Sequence, residues 1–380
     1  MTELKPILSS DWETISSHDS KPAASSTLPV SSKPTSKITF LSSKDVDQIL
    51  LSLSLSDFLS SQSDAFQAFS SSSPSNSNDD VQTPARLALS LPNHTTLFMP
   101  SRASALGGTA CKIVSVPKEG KDNGQGLPAS NVLLDEDTGE VSAVIGAGQL
   151  TGVRTAAGSA VVSQMLLGEG LGREKMVVFG TGVQAFWHTH FHLLLFPSIK
   201  HVAFLARPGS TEPNDRLKKL ISDIRDLHPN VQLEHSSTEN YDRGQAVHNA
   251  NIILCCTPST APLFPSTQPQ TGTHISLIGS YKPFMLEVEP SLLSTRAGIV
   301  FVDGEKETKI EAGELQGFEG QVCEVGSVLK TPGKGRELWE QTKGDLTVWK
   351  SVGLATQDVA ISNLVFRRGK ELGLGVEVDR

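Results

Sequence analysis

An arginine at the start of a predicted helix is the residue of this sequence that most clearly indicates a functional site. The stretch LTGVRTAAGSAVVSQMLL, residues 150–167, has the small and apolar pattern of a packed helix, with Thr151 as its predicted N-cap and Arg154 at N3. Glu is the usual residue at N3, and a cation there is unfavourable by about 0.3–1 kcal/mol. An anion held by the guanidinium and the free backbone N–H groups would resolve the conflict. The alternative is an exposed arginine tolerated at that cost.

A glycine-rich turn follows about two dozen residues later, in KMVVFGTGVQAFWHTH. It lies directly after a predicted strand and opens a predicted helix, so Gly180 permits the tight turn and Gly182 lets the backbone approach a pyrophosphate. The helix N–H groups would face the phosphates. A purely structural turn is the alternative. The predicted cofactor-binding residues of this segment are Gly180, Thr181, Gly182, Val183, Gln184 and Ala185.

The next strand, HVAFLA, ends beside Arg207. A fold that binds NAD usually has Asp or Glu here for the ribose 2′-hydroxyl, whereas a guanidinium pairs with a 2′-phosphate. Arg207 therefore predicts NADP(H) in preference to NAD(H), unless it is a solvated surface residue. Thr257 and Ser259, after the later strand NIILCC, would line the nicotinamide side of the cleft or only cap a turn.

The secondary-structure elements that must position these residues show two different sequence patterns. Short apolar runs such as KMVVFG, NIILCC and GIVFVDG alternate with longer segments between about Lys175 and Cys323, which predicts an α/β domain with a doubly wound parallel sheet of the Rossmann type. From Pro84 to Ile145, β-rich runs and tight turns predict a different sheet. The last segment reads as an amphipathic helix that returns to the first domain.

Composition narrows the class of partner. The chain has 380 residues and a net charge of −8, which argues against nucleic acid or anionic membranes and favours small molecules. Four cysteines without metal-type spacing indicate a reducing compartment. We find no apolar run long enough for a membrane span and no secretory signal, so the expected location is cytoplasmic.

Several motifs together resemble one family. LTGVRTAAGSA and FGTGVQA, followed by TPS, DGEKETKIEAGEL and VWKSVGLATQDVA, look like the ornithine cyclodeaminase/mu-crystallin family from about residue 38 to the C-terminus. The resemblance implies NAD(P)-dependent enzymes or binders, typically homodimers, with a Rossmann domain inserted into a substrate and dimerisation domain. We accordingly expect a disordered tail over 1–37, the substrate domain over 38–165 with 345–380 returning to it, and the NAD(P)-binding domain over 166–344.

The resemblance also implies a substrate-binding set. Two arginines and a lysine hold a carboxylate in the family, and the matching residues here are Arg86, Arg154 and Lys112. Three cations that converge on one cleft need an anionic ligand to offset their repulsion. Further residues expected near cofactor and substrate are Thr155, Thr257, Ser351 and Val352, of which Val352 is assigned to substrate and the others to cofactor.

The sequence departs from the cyclodeaminase pattern at two acids. Leu97 and Tyr281 stand where those enzymes have Glu and Asp, so the anion needed for work on a side-chain amine is missing. The resemblance then favours a ketimine reductase that reduces Δ1-pyrroline-2-carboxylate or Δ1-piperideine-2-carboxylate, with Lys112, Tyr281 or a water between them handling the imine proton. The alternatives are an ornithine cyclodeaminase, an amino-acid or opine-type dehydrogenase, and a non-catalytic NADPH-binding protein.

Two other motifs are interpreted as structural. In HTHFH only His188 and His192 share a helix face, and no HExxH pattern accompanies them or His190, so we expect no metal site. The acid-rich segment DGEKETKIEAGEL is expected to be a solvated helix face rather than a catalytic carboxylate pair.

Overall fold

The computed structural model describes residues 37–72, 80–118, 121, 126–168, 172–206, 214–236 and 240–379. The predicted tail lies outside these ranges except for Lys37, which begins the first strand. Within the described ranges, none of the helices is long and apolar enough to cross a bilayer.

The N-terminal part of the chain builds one mixed sheet with helices on it. Its elements are β1 (Lys37–Leu41), α1 (Ser43–Leu51), α2 (Leu55–Ser71), β2 (Val81–Gln82), β3 (Leu87–Ser90), β4 (His94–Ala103), β5 (Gly108–Pro117), β6 (Ala129–Leu134), β7 (Val141–Gly146) and α3 (Leu150–Leu167). Reciprocal capping boxes start both early helices, Ser42 with Asp45 and Ser54 with Asp57.

The rest of the chain builds a second sheet and then returns. Its elements are β8 (Lys175–Phe179), α4 (Val183–Leu195), β9 (His201–Leu205), α5 (Asp215–Leu227), β10 (Gln232–His235), α6 (Arg243–His248), β11 (Ile252–Cys255), β12 (His274–Leu277), α7 (Pro290–Leu292), β13 (Ile299–Val302), α8 (Glu305–Glu311), β14 (Gln321–Glu324), α9 (Gly326–Leu329), α10 (Lys334–Glu340), β15 (Thr347–Lys350), α11 (Ala355–Leu372) and β16 (Val376–Asp379).

The second sheet is the predicted Rossmann-type sheet. In the described residues its order is β10-β9-β8-β11-β12-β15-β13-β14, and every pairing is parallel. The chain runs outward from β8 through β9 and β10, then crosses back to β11 on the other side of β8. This reversal opens a crevice at the carboxyl ends of β8 and β11, where such sheets bind ligands. The prediction of a doubly wound α/β domain is confirmed.

The return of the C-terminal segment differs from the prediction in one element. β16 pairs with β1 and α11 packs on β4 and β5, both in the first sheet, whose order is β16-β1-β7-β6-β5-β4-β2 with β3 on β4. Residues Thr347–Lys350, however, form β15 between β12 and β13. The prediction that all of 345–380 leaves the Rossmann domain is therefore wrong for this strand. TVWK is a short run buried on both faces, which is typical of a central parallel strand.

Helix α3 joins the two sheets. A Cβ at Gly152 would lie 2.5 Å from Val183 of α4, and one at Gly158 would lie 2.9 Å from the Phe66 ring of α2. These approaches explain the small residues of α3, because a larger side chain at either position would collide with a neighbouring helix. On its other side, Ser159 and Ser163 hydrogen-bond to buried histidines of the second domain. The N-terminal end of α3 thus lies beside the start of α4.

Candidate functional site

The glycine turn has the geometry that its residue types predict. Gly180 has φ of +117°, and a Cβ there would lie 2.6 Å from the carbonyl oxygen of Cys256. Gly182 is the N-cap of α4, and a Cβ there would meet nothing within 4 Å. Ala185 is fully buried and lets α4 pack on the sheet. Open space therefore adjoins the free N–H groups of a 13-residue helix at the crevice.

The residues around this turn also suit a polar ligand. Thr155 is buried and its hydroxyl donates to the Thr151 carbonyl one turn earlier. The side chain of Gln184 reaches the same carbonyl through Nε2 at 3.4 Å. The Thr151 hydroxyl and Gln184 Oε1 are both buried without a hydrogen-bond partner among the described residues. Buried orphan polar atoms of this kind fit a bound polar group.

A pocket lies further along the same edge of the sheet. It has a volume of about 120 Å³ and lies at the ends of β8 and β9, with Phe179, Leu205 and Phe264 among its apolar walls. Arg243 borders it and donates to the Ala206 carbonyl at 2.7 Å. The predicted 2′-phosphate partner, Arg207, lies outside the described residues.

The structure brings the three predicted cations into one electrostatic cluster. Lys112 lies in the middle of β5, Arg154 on α3 and Arg86 just before β3. Lys112 and Arg154 are 2% and 4% exposed, so neither is a solvated surface residue. Burial lowers the pKa of Lys112 to about 8; Asp358 raises it, and both arginines lower it. The cluster lies where the first domain meets the carboxyl edge of the Rossmann sheet.

The predicted reason for Arg154 is wrong in its geometry. Helix α3 starts two residues earlier than expected, with Gln149 at the N-cap and no side-chain cap, so Arg154 is in the second turn rather than at N3. The arginine points instead toward α11, where its Nη1 donates to Gln357 Oε1 at 3.0 Å. Since Arg154 is buried, the exposed alternative is wrong as well. Burial of a guanidinium still requires anionic or polar partners.

One acidic residue lies between Lys112 and Arg154. Asp358 of α11 is 1% exposed, with Oδ2 2.7 Å from Lys112 Nζ and Oδ1 3.4 Å from Arg154 Nε. Lys112 carries three ammonium hydrogens, of which the contact with Asp358 does not commit all, and Arg154 Nε has no hydrogen-bond partner in the described chain. Lys112 and Arg154 therefore keep donors available for a ligand.

The loop after β15 carries the predicted Ser351 and Val352. The buried Asp303, at the end of β13, accepts from the Ser351 hydroxyl at 2.7 Å and from the N–H groups of Val352 and Gly353 at 3.0 and 2.7 Å. Arg86 donates to the Gly353 carbonyl at 3.0 Å. The loop is thus fixed from the Rossmann side and offers its carbonyls to the substrate-side arginine.

Tyr281 and Leu97 lie near the cluster, as the positions of the missing acids predict. Leu97 and Met99 share one face of β4, and Met99 is the cross-strand partner of Lys112. Tyr281 is partly buried, and burial raises the pKa of its hydroxyl while Arg86 lowers it. A raised pKa keeps Tyr281 protonated at neutral pH, so it can donate a hydrogen bond but is a poor base.

Thr257 is bound into a separate buried network. Its N–H and hydroxyl both donate to Glu287, at 2.8 and 2.9 Å, and Glu287 also accepts from the Gly279 N–H. Burial raises the pKa of Glu287 to about 7. The Thr257 hydroxyl can therefore offer a ligand only its acceptor lone pairs.

The acid-rich segment is a solvated helix face only in part: Glu305, Lys306 and Lys309 are exposed as predicted, whereas the end of the segment is not. Glu311, at the end of α8, places Oε2 2.9 Å from Arg86 Nη2, and Glu314 is fully buried. Burial raises the pKa of Glu311 to about 7, although Arg86 opposes the change. The prediction fails for this part because helical spacing alone cannot show that the C-terminal end of α8 turns into the cleft.

The three helix histidines are packed as hydrogen-bonding core residues. His188 and His192 bond to Ser159 and Ser163 of α3 and to backbone carbonyls of α4. Burial lowers their pKa values to about 3 and about 4, so both are neutral. His190 contacts His228 instead. The described residues contain no cluster of three metal-ligating side chains.

Fold and site together define a Rossmann protein with a cluster of cationic side chains beside its glycine turn. The family model for the ornithine cyclodeaminase/mu-crystallin family matches residues 40–372, and the chain belongs to that family. A Δ1-pyrroline-2-carboxylate reductase of Bacillus cereus is 29% identical over 316 residues, which cover 78% of this chain and 89% of the relative.

Solved structures show the same fold. The Thermococcus litoralis Δ1-pyrroline-2-carboxylate reductase, in complex with NADH and L-proline, matches with a TM-score of 0.75 and 21% identity over 90% of this chain and 100% of its own. An archaeal alanine dehydrogenase dimer with bound NAD matches with a TM-score of 0.72 and 20% identity over 90% and 99%. At these identities the likeness concerns the fold.

Sequence reasoning missed the polar partners of the cations. Asp358, Gln357 and Asp303 each hold a predicted site residue or its loop, and none was singled out. Asp358 and Gln357 stand in the VWKSVGLATQDVA motif, but the pattern there indicated only an amphipathic helix. The usable signal was the run of polar residues Thr356–Asp358 directly before the apolar residues Val359, Ala360 and Ile361.

Proposed function

We propose that this protein is a nicotinamide-dependent imine reductase that reduces a cyclic 2-imino carboxylic acid to a cyclic amino acid. Δ1-Pyrroline-2-carboxylate and Δ1-piperideine-2-carboxylate are the proposed substrates. The observation that carries the proposal is the cluster of the buried Lys112 and Arg154 with the partly exposed Arg86 beside the glycine turn. The similarity to Δ1-pyrroline-2-carboxylate reductases supports it.

The residues of the crevice fit a dinucleotide. Its pyrophosphate would lie over Gly180–Ala185, and its adenine would enter the apolar pocket beside Phe179 and Leu205. Bound as NAD(P)H, the cofactor would supply a hydride to the imine carbon. The proposed preference for NADP(H) depends on Arg207 alone. The two solved relatives hold NADH and NAD, so they do not support this preference.

The cations would hold the substrate by its carboxylate. Arg86 and Arg154 offer guanidinium N–H groups, and Lys112 offers its ammonium. Lys112 is close enough to both arginines for each to lower its pKa, and it shares Asp358 with Arg154. One carboxylate would offset the excess positive charge that Asp358 and Glu311 leave. A fixed carboxylate fixes the imine beside it, so little orientational freedom remains to be lost in the reaction.

The imine nitrogen needs a proton when the carbon accepts a hydride. A lysine whose pKa is about 8 is charged at neutral pH and gives up its proton readily, so Lys112 suits this role. Tyr281 is the second proposed donor because its hydroxyl stays protonated. The resulting amine takes a second proton from solvent as the product leaves, and solvent also recharges the donor.

Other functions on this fold are less well supported. A cyclodeaminase needs a carboxylate for the substrate amine, and Leu97 and Tyr281 offer none. Glu311 is bound to Arg86 instead. An amino-acid dehydrogenase remains the second candidate, since the alanine dehydrogenase shares the fold. The buried, ligand-ready cations argue against a protein that only binds NADPH.

We further propose a homodimer in the cytoplasm. The family resemblance supports the homodimer, and one solved relative is a dimer. Free cysteines at all four positions support a reducing compartment.

The test is NADPH oxidation with each cyclic imine, using wild type, Arg154→Ala and Arg102→Ala. Arg102 pairs with Glu136 on the surface, so its variant controls for loss of an arginine away from the cleft. We expect turnover that prefers NADPH over NADH and collapses only in Arg154→Ala. Absence of turnover with both imines, while NADPH still binds, would refute the proposed reductase. An amino-acid dehydrogenase would then be the favoured function, and it would be tested with amino acids and NAD(P).

A further inference from the structure

We propose that Asp358 is a positioning residue that keeps Lys112 charged and directed at the imine nitrogen, so that the proton donor is a Lys112–Asp358 pair. The inference rests on the proposed imine reduction and deepens it. Asp358 itself is assigned no contact with the substrate.

The geometry is that of a built pair. Lys112 extends from the middle of β5 on the face that α11 covers, and Asp358 comes from the first turn of α11. The positive end of a helix stabilises a carboxylate in that turn. Both side chains are almost fully buried, and 2.7 Å separates Nζ from Oδ2. Such burial of an ammonium requires a nearby anion.

The surrounding charges make this anion decisive. Arg154 faces the lysine from α3 and Arg86 from the segment before β3, and both disfavour its charged form. Glu311 of α8 is held by Arg86, and the Cys111 thiol of β5 has a raised pKa. Asp358 is the carboxylate that the described residues place within ion-pair distance of Nζ. Without it, burial and two guanidiniums would remove the proton from the lysine.

The contact also leaves the proton usable. An ammonium carries three hydrogens, and the contact with one oxygen of Asp358 does not commit all of them. The proton can then pass from Nζ to the imine nitrogen, which leaves a neutral amine on Lys112 beside the carboxylate. Solvent returns the proton after the product leaves.

A purely structural role for Asp358 would join β5, α3 and α11 without setting protonation. The two roles differ in pH dependence. Asp358→Asn keeps the shape and removes the charge, so the lysine pKa should fall below its value of about 8. The rate of imine reduction should then begin to fall at a lower pH, by about tenfold for each further pH unit above the new pKa. Lowering the pH should restore it.

The experiment combines two readouts on the full chain. The first is the pH profile of kcat for imine reduction; the second is the titration of Lys112 followed by NMR of ¹³Cε-labelled lysine, which needs no turnover. Glu136→Gln removes a surface carboxylate of the same domain and should move neither. Loss of rate by one constant factor at every pH, with an unmoved lysine titration, would overturn the proposal.

Two outcomes separate this inference from its premise and from misfolding. If wild type reduces neither imine, the proposed function fails, and the lysine titration still decides whether Asp358 controls Lys112. If Asp358→Asn does not fold, the double variant Lys112→Met/Asp358→Asn is compared. A double variant that folds supports the pair, because Arg154 loses Asp358 in both variants and only the unpaired charge of Lys112 distinguishes them. A double variant that also fails shows that the fold needs Asp358 by itself and overturns the proposal.

Discussion

Replacing Gly353 by alanine should loosen the carboxylate clamp without unfolding the protein. Gly353 follows β15 with φ of +86°, and a Cβ there would lie 2.6 Å from Nη1 and 2.7 Å from Nη2 of Arg154. These distances are shorter than van der Waals contact, so the guanidinium must move. The guanidinium is the far end of a flexible side chain, so the cost to the fold is small.

The magnitude follows from a matched control. Gly373 has φ of +65°, and a Cβ there would meet nothing within 4 Å, so Gly373→Ala carries only the left-handed strain, about 1–2 kcal/mol. Gly353→Ala should lose a similar amount of unfolding free energy. It should additionally weaken the charged hydrogen bond from Arg154 to the substrate carboxylate, worth about 1.5–3 kcal/mol. The KM for the imino acid should therefore rise about tenfold to a hundredfold above the control.

Urea denaturation and steady-state kinetics on both variants check this reasoning. The NADPH dissociation constant should be unchanged in both, because Gly353 lies on the substrate side of its loop. Equal KM values for Gly353→Ala and Gly373→Ala would refute the idea that Arg154 binds the carboxylate from its present position. A Gly353→Ala variant that unfolds while Gly373→Ala does not would show that the guanidinium is held too rigidly to move.

Three further predictions concern the cofactor and the acid at the cleft. Gly182→Ala should leave the melting temperature unchanged, since a Cβ there meets nothing within 4 Å, and should weaken dinucleotide binding in a fluorescence titration. Gly180→Ala should lower the melting temperature and also weaken dinucleotide binding, because its Cβ meets the Cys256 carbonyl. Arg207→Asp should reverse the ratio of NADPH to NADH dissociation constants, and an unchanged ratio would place the 2′-phosphate elsewhere. The folded-state pKa of Glu311 is raised from 4.5 to about 7, so its contribution to stability is present below pH 4.5 and is lost as the pH rises to about 7. Urea denaturation of Glu311→Gln across this range should show a smaller decline than wild type.

Local patterns predicted the Rossmann-type sheet and the geometry of its glycine turn well. Gly180 and Gly182 lie within one strand-turn-helix unit, and the restrictions on them come from neighbours that the fold type already specifies. The parallel strands were recognisable for the same reason, since strands buried on both faces are short apolar runs. β15 was missed because TVWK is four residues long and follows a polar segment.

The polar partners on the substrate side were beyond such patterns. Gln357 meets Arg154 across 203 residues of chain, and the Rossmann domain lies between them. The cap predicted at Thr151 failed through the same limitation. A local rule assigned Arg154 to the helix end, whereas tertiary contacts with α11 determine its direction. The family resemblance predicted the three cationic residues, whereas their polar partners were found only in the structure.

The positions of these partners link the clamp to the cofactor domain. Asp303, at the end of β13, fixes the N–H groups of Val352 and Gly353, and Arg86 binds the carbonyl of Gly353 from the other domain. Any shift of the Rossmann sheet edge therefore moves the groups against which Arg86 rests. Arg154, in contact range of Gly353, would move with them. The loop after β15 thus aligns the carboxylate-binding arginines with the edge of the sheet that would carry the nicotinamide, and the distance between imine carbon and hydride donor depends on that alignment.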